Sequence, residues 1–200
     1  PSTGQIDPSW DLQIINALRG GAVSVRALTY YDGNVYMGGS FTHLSGGGSS
    51  RVYARNAGRV SLSGRPDRSW NPEISGAVQA VGVSEANSAF YAGGHFTTAH
   101  GNQRAWYAAK FSTQPGAAVD TSFNFVPSSA TAGKYQQTIA TAGNRVYIGG
   151  SEHNLFGYDA ATNQRVSGAM TFSMGGDLQA TTVSSKGVIY GSCHCSDAAY

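Results

Sequence analysis

The sequence predicts an all-β fold, a β-propeller of four-stranded antiparallel blades with about three and a half to four blades present. Three observations carry this. First, a hydrophobic stub ending in a glycine pair occurs at Val35-Tyr36-Met37-Gly38-Gly39, Phe90-Tyr91-Ala92-Gly93-Gly94 and Val146-Tyr147-Ile148-Gly149-Gly150, with a weaker copy at Ile189-Tyr190-Gly191-Ser192. The tyrosines stand 55, 56 and 43 residues apart, a pitch that marks stacked copies of one supersecondary unit. Second, 27 glycines among abundant Ser, Thr and Ala suit the short strands and tight turns of propeller blades. Third, helical periodicity is nearly absent, and only residues 11–19 read as a helical turn or two.

Each unit opens with an alternating, half-buried strand: Val25-Arg26-Ala27, Val78-Gln79-Ala80, Tyr135-Gln136-Gln137 and Leu178-Gln179-Ala180. A turn such as Asp32-Gly33-Asn34, Gly143-Asn144 or Lys186-Gly187 follows, with residues that accept positive φ. The tyrosine stub is the second strand. The third is placed beyond a polar loop, at Arg51-Val52-Tyr53-Ala54-Arg55, Arg104-Ala105-Trp106-Tyr107-Ala108 and Leu155-Phe156-Gly157-Tyr158-Asp159. The outermost segment is Gly64-Arg65-Pro66-Asp67-Arg68-Ser69-Trp70, echoed by Gly4-Gln5-Ile6-Asp7-Pro8-Ser9-Trp10 and Val119-Asp120-Thr121-Ser122-Phe123. Asp-x-Ser-aromatic is common to all three. One domain over residues 1–200 results, with units at 1–20 (partial), 21–72, 73–126, 133–172 and 177–200 (partial).

The chain opens on an outermost strand and closes just after a second strand, so a four-bladed ring would lack one third strand. The expectation is therefore a piece of a larger ring, its start at Pro1 without a Met fitting an excised segment. Residues 1–10 are expected not to complete the sheet of residues 178–195.

With these motifs in view, the chain resembles the delta-sixty type β-propeller repeats of actinobacterial secreted and surface proteins and of tail proteins of their phages. Gly38-Gly39-Ser40-Phe41, Gly93-Gly94-His95-Phe96 and Asp67-Arg68-Ser69-Trp70-Asn71-Pro72 carry the likeness. It is similar also to kelch repeats, whose strands end in Gly-Gly and whose next strand carries Tyr-Asp-x-x-Thr, as Tyr158-Asp159 to Thr162 does. The resemblance covers nearly the whole chain and departs from the pattern at Gly191-Ser192 and the cysteines beyond. It implies an extracellular, cell-surface or virion setting. It implies no single activity, because propellers serve as enzymes, lectins and docking platforms.

Charged residues are 12% of the chain and the net charge is +2, which leaves no basic stripe for nucleic acid. No apolar run reaches membrane-spanning length. The two cysteines flank a histidine in Cys193-His194-Cys195. Free thiols, a strained mutual pair and bonds to cysteines beyond Tyr200 are all open, with the last favoured. A metal held by Cys193, His194 and Cys195 is a weaker candidate, since the spacing is not that of a zinc finger and the thiols face away from His194 on an ideal strand.

The glycine pairs are not phosphate loops, because no helix and no Lys-Ser or Lys-Thr follows them; they mark close backbone approach. The recurring Asp7, Asp67 and Asp120 are read as turn caps, and Trp10, Trp70 and Phe123 as seals between blades. Arg26, Gln79, Gln136 and Gln179 are aligned in one register on the first strands, which line a propeller's channel, and are the leading ligand candidates. Unpaired buried amides cost about 1–3 kcal/mol each, so these must meet water, one another or a ligand. The loops at 42–50, 97–103 and 151–155 are candidate contact loops, and His100 and Trp106 are further ligand candidates. No nucleophile elbow or paired-carboxylate arrangement stands out. The expectation is a binding or structural module without catalytic residues or cofactor. Its expected partners are a host or cell-surface glycan or protein and other parts of the same large polypeptide, with oligomers if it belongs to a fibre. The alternative is an enzyme domain, a hydrolase, lyase or kelch-type oxidase, with its site at the channel mouth.

Overall fold

The computed structural model describes residues 4–5, 7–101, 103–125, 134–166 and 176–195. The expected unit boundaries at 126, 133, 172 and 200, and Ile6 of the first Asp-x-Ser segment, lie outside them. In chain order, a short strand β1 (Gln13–Ile15) precedes the first blade, which is made by β2 (Ser24–Tyr31), β3 (Asn34–Ser40) and, after the hairpin β4 (His43–Gly46) and β5 (Ser49–Tyr53), β6 (Ala57–Ser61). The second blade is β7 (Val78–Ser84), β8 (Ala89–Gly94) and, after a small hairpin β9 (Thr98–Ala99) and β10 (Gln103–Arg104), β11 (Ala108–Ser112). The third is β12 (Gln136–Ala142), β13 (Arg145–Gly150), β14 (Leu155–Asp159) and β15 (Arg165–Val166); the fourth contributes β16 (Leu178–Val183) and β17 (Ile189–Cys193). All pairings are antiparallel, in the orders β2-β3-β6, β7-β8-β11, β12-β13-β14-β15 and β16-β17.

Three expectations are corrected. Residues 11–19 make no helical turn: β1 runs there and joins β4 and β5 in a separate three-stranded sheet. The third strands of the first two blades lie further along than predicted, at Ala57–Ser61 and Ala108–Ser112. Residues 51–55 alternate as well as a blade strand does, but fold largely into the inserted hairpin. The fourth strand is regular only in the third blade and shrinks elsewhere to the bridges Val60↔Pro66 and Phe111↔Val119. Pro66 has no N–H to extend a ladder, and the Asp-x-Ser turn follows at once. The β16-β17 sheet takes no strand from residues 7–10 among the described residues.

Every first strand is bulged at the same point. Val25↔Gly39 is followed by Ala27↔Gly38, Val78↔Gly94 by Ala80↔Gly93, Gln136↔Gly150 by Thr138↔Gly149, and Leu178↔Cys193 by Ala180↔Ser192. An extra residue on one strand sharpens its bend, and the glycine pair accommodates it. A Cβ on the second glycine would strike the bulged strand's backbone, at the carbonyls of Ser24, Ala77 and Tyr135 for Gly39, Gly94 and Gly150. A Cβ on the first would meet the next blade: Val78 for Gly38, Gln136 at 3.1 Å for Gly93, and Leu178 for Gly149. The doublet thus serves its own blade with one residue and the neighbouring blade with the other.

Alternation gives each blade a leading face, toward the preceding blade, and a trailing face, toward the next. Val78, Val81, Val83 and Phe90 of the second blade's leading face pack against Tyr36 of the first blade's trailing face, with Trp70 between them. Ile139, Ile148 and Val146 meet Tyr91 in the same way, sealed by Phe123. The third interface is a smaller cluster of Leu155 and Leu178 flanked by Tyr147, Ile189, Cys193 and Cys195. The first blade's outer strands are covered by Phe41, Leu44, Leu12 and Ile14 of the inserted sheet and its flanks.

The Asp-x-Ser segments are turns, as read from the sequence. In each, the Asp carboxylate accepts from the Ser backbone N–H and hydroxyl: Asp7 from Ser9, Asp67 from Ser69 at 2.7 and 2.7 Å, Asp120 from Ser122 at 3.0 and 2.6 Å. Two of these carboxylates do more. Asp67 pairs with Arg59 at 2.6 Å, and Arg59 reaches across to the Thr113 carbonyl of the second blade. Asp120 pairs with Lys110 at 3.0 Å, whose ammonium donates to the Ala160 carbonyl and Asn163 of the third blade at 2.9 Å. Arg59 and Lys110 face the stub tyrosines Tyr36 and Tyr91 in register, so one cationic cross-tie is used twice.

Candidate functional site

The bulges place a row of polar groups along one edge of the arc. Arg26 and Gln179 are exposed and Gln79 half-buried, each at its blade's bulge. Gln136 is not their counterpart. It pairs with Gly150 as Val78 pairs with Gly94, so the bulged residue is Gln137, one position on. Counted back from the stub tyrosine, Gln137 stands ten residues before Tyr147, as Arg26 stands ten before Tyr36, and alignment on the first glutamine misses this. Gln136 is fully buried on the third blade's leading face, against Gly93, and neither amide atom has a protein hydrogen-bond partner.

Sequence reasoning missed the groups flanking the bulges. The residue before each first strand's bulge pair and the residue after each glycine position are joined by backbone hydrogen bonds: His95 N–H to the Ala77 carbonyl at 2.8 Å, Ser151 to Tyr135 at 3.0 Å, His194 to Asp177 at 2.9 Å. Across the blades, His95 of the second stacks on Tyr135 of the third with ring centroids 4.5 Å apart, and the Tyr135 hydroxyl donates to the Asp177 carboxylate of the fourth. Burial, then the charge of Arg26, lowers the His95 pKa below the usual imidazole value. The hydrogen bond to Asp177, then burial, pushes the Tyr135 phenol up to about 12. A rim of Arg26, His95, Tyr135 and Asp177 therefore touches all four blades and holds a cation, a ring capable of stacking and hydrogen-bond acceptors. The available signal was the shared offset of four from the stub tyrosine at His95 and His194.

The other candidates lie apart. His100 sits in the β9–β10 turn with φ 45°, its N–H donating to the Pro72 carbonyl at 3.0 Å. Trp106 lies under the Arg104 guanidinium, 3.9 Å from its ring centroid, and lines a cleft of about 260 Å³ with Asp120, Phe123 and Phe125. The loops expected at 42–50 and 97–103 fold largely as hairpins. Cys193 is bonded to Cys195, so the expected disulfide to a cysteine beyond Tyr200 is corrected, and neither thiol is available to a metal. The strand ends at Cys193, and the two Cα atoms stand 5.3 Å apart, a separation a disulfide spans. Among the described residues no three His, Cys, Asp or Glu gather as metal ligands would, and no helix is long and apolar enough to cross a membrane.

These sheets and faces define a β-propeller repeat protein. Among solved structures the chain is similar to that of U3-55K, with a TM-score of 0.57 and 12% identity over 86% of this chain and 45% of that one. It is similar also to the RRP9 WD40 repeats, with a TM-score of 0.55 and 14% identity over 86% of this chain and 47% of that one. The chain thus spans a little under half the length of each of these two structures. No protein-family model matches it, and the comparison with curated proteins gives no match.

Proposed function

We propose that the chain is a non-enzymatic binding and structural module of a large extracellular, cell-surface or virion protein, with the rim as its recognition edge. The observation that carries this is the chain of His95 stacked on Tyr135 and Tyr135 bonded to Asp177 across three blades, with exposed Arg26 at the bulge of the remaining one. Away from the rim, Arg59 is engaged with Asp67 and Lys110 with Asp120 inside the scaffold. A guanidinium beside stacked rings and exposed amides suits a polar, hydroxyl- or carboxylate-bearing ligand such as a glycan. The surface setting is supported by the delta-sixty resemblance of Gly38-Gly39-Ser40-Phe41, Gly93-Gly94-His95-Phe96 and Asp67-Arg68-Ser69-Trp70-Asn71-Pro72.

The test is a screen of the chain against a glycan array and a display library of surface-protein ectodomains. A specific binder is expected, with affinity falling roughly tenfold or more, about 1.4 kcal/mol, on Arg26→Ala or Gln179→Ala and unchanged on Trp106→Ala. A binder indifferent to every rim substitution, or substrate turnover abolished by the same substitutions, overturns the reading.

A further inference from the structure

We propose that the leading face of the first blade docks the trailing face of the fourth blade of a second copy, so that two arcs close one ring. On the second blade, Val78, Val81 and Val83 are 0%, 8% and 6% exposed, whereas Val25, Leu28 and Tyr30, at the same register of the first blade, are 40%, 62% and 58% exposed. The strand, the alternation and the bulge are the same. Only the neighbour differs.

The molecule itself shows what covers such a face. Val78, Val81 and Val83 lie on the first blade's trailing face, which presents Ala27, Thr29, Tyr36 and Gly38. The fourth blade presents Ala180, Thr182, Tyr190 and Ser192 in the same register, with Tyr190 56% exposed. Three of the four residue types are identical. One chain therefore carries both halves of a contact it already uses internally, one half bare at each end of the arc. Two copies joined through both ends make a two-fold assembly with identical contacts, and eight blades lie within the range of known propellers. Ser192 is the departure, because Gly38 gives Val78 room that a Cβ would fill. The docked copies fit less closely there.

Analytical ultracentrifugation of the chain is expected to show a concentration-dependent species of twice its mass and nothing larger. Leu28→Lys and Tyr190→Glu, both on exposed positions, should each raise the dimer dissociation constant by about 100-fold or more, with circular dichroism unchanged and melting equal to wild type at concentrations where both are monomeric. Mixing the two variants should restore a one-to-one species, since one contact then keeps its original residues and the other gains opposite charges. Ser192→Gly should tighten the dimer. A chain monomeric at all concentrations, as when its faces await other blades of one polypeptide, overturns the proposal. So do open-ended polymers, a dimer indifferent to both charges, or a mixture that stays monomeric.

Discussion

The contact between the first and second blades and the contact between the third and fourth use one backbone plan with different fillings. In the former, Tyr36, Trp70 and Phe90 form a fully buried aromatic triangle with centroids 5.0–5.5 Å apart, and the Trp70 indole donates to the Ser112 carbonyl at 2.9 Å. Arg59 then ties the outer edges together. In the latter, Leu155 and Leu178 are the fully buried pair, and Gly157 stands where Arg59 and Lys110 stand in the earlier blades. A side chain on Gly157 would meet Val166 and Tyr147. The regular fourth strand of the third blade therefore takes the place of the cation. The Tyr135–Asp177 bond at the rim is left to tie these blades. What holds an array of blades together is decided residue by residue at each contact.

The severest way to break this contrast is Trp70→Ala, which should cost about 3–5 kcal/mol in denaturant unfolding. A loss under about 1 kcal/mol would show that the aromatic triangle matters little. Arg59→Met or Lys110→Met should cost about 2–3 kcal/mol, because each takes the cation from a part-buried carboxylate, which keeps its serine donors, and leaves a neighbouring carbonyl without that donor. For Asp120, burial alone would raise the carboxyl, but Ser122, Asn163 and Lys110 outweigh it and hold the pKa well below the usual range. A pKa lowered on folding contributes stability in full above the unfolded value, about 3.9, and loses it as pH falls toward the folded one. The gap between wild type and Lys110→Met should thus be constant from about pH 5 to 8 and close below about pH 4. A gap that widens on acidification would contradict the pairing.

A smaller effect of opposite sign is expected at Gln136. Its counterparts are Val25, Val78 and Leu178, so Gln136→Val should raise stability by about 1 kcal/mol or more, read as a higher denaturant midpoint at unchanged slope. Hydrogen exchange compares the two contacts directly: amides of β16 and β17 should exchange through local opening before those of β7 and β8. The slightest perturbation is reduction of Cys193–Cys195. The loop it closes is so short that little chain entropy is involved, so melting should move by no more than about 2 °C while protection in β17 falls. A large drop in melting temperature would make the disulfide the main tie of the fourth blade.

Much of this fold is legible in the residues. Gly38-Gly39 and its copies announce the blades because both members face steric demands that recur with each repeat. Asp67-x-Ser69 and Asp120-x-Ser122 announce turns because their hydrogen bonds are local. The third strand of the first blade was misplaced, while Leu155–Asp159 of the third blade was not, because Arg51-Val52-Tyr53-Ala54 alternates in the inserted hairpin as it would in a blade, and alternation carries no information about the partner. Gln136 was misaligned because the hairpin turns differ in length, from the two residues enclosed by Tyr31↔Asn34 and Ala142↔Arg145 to the four enclosed by Ser84↔Ala89, so that residue type rather than pairing sets the alignment. The rim and the cationic ties were hidden for a different reason: His95, Tyr135 and Asp177, like Arg59 and Thr113, are tens of residues apart and meet only through blade stacking. Their periodic placement, opposite the stub tyrosine or four residues beyond it, was the trace they left.

The two-faced construction of each blade bears on how such a protein grows. A repeat that keeps a bulky apolar plug on one side and a small-residue socket on the other is complete as a unit of duplication. A copied stretch of coding sequence arrives with a fitting for the blade before it and one for the blade after it, and only the side chains that fill each contact have to be adjusted. Severing the array between any two blades exposes a matching plug and socket, much as a staggered cut in DNA leaves cohesive ends. Fragments of such an array are therefore predisposed to find one another, and a lineage that gains or loses blades can rejoin what remains into a continuous barrier against water.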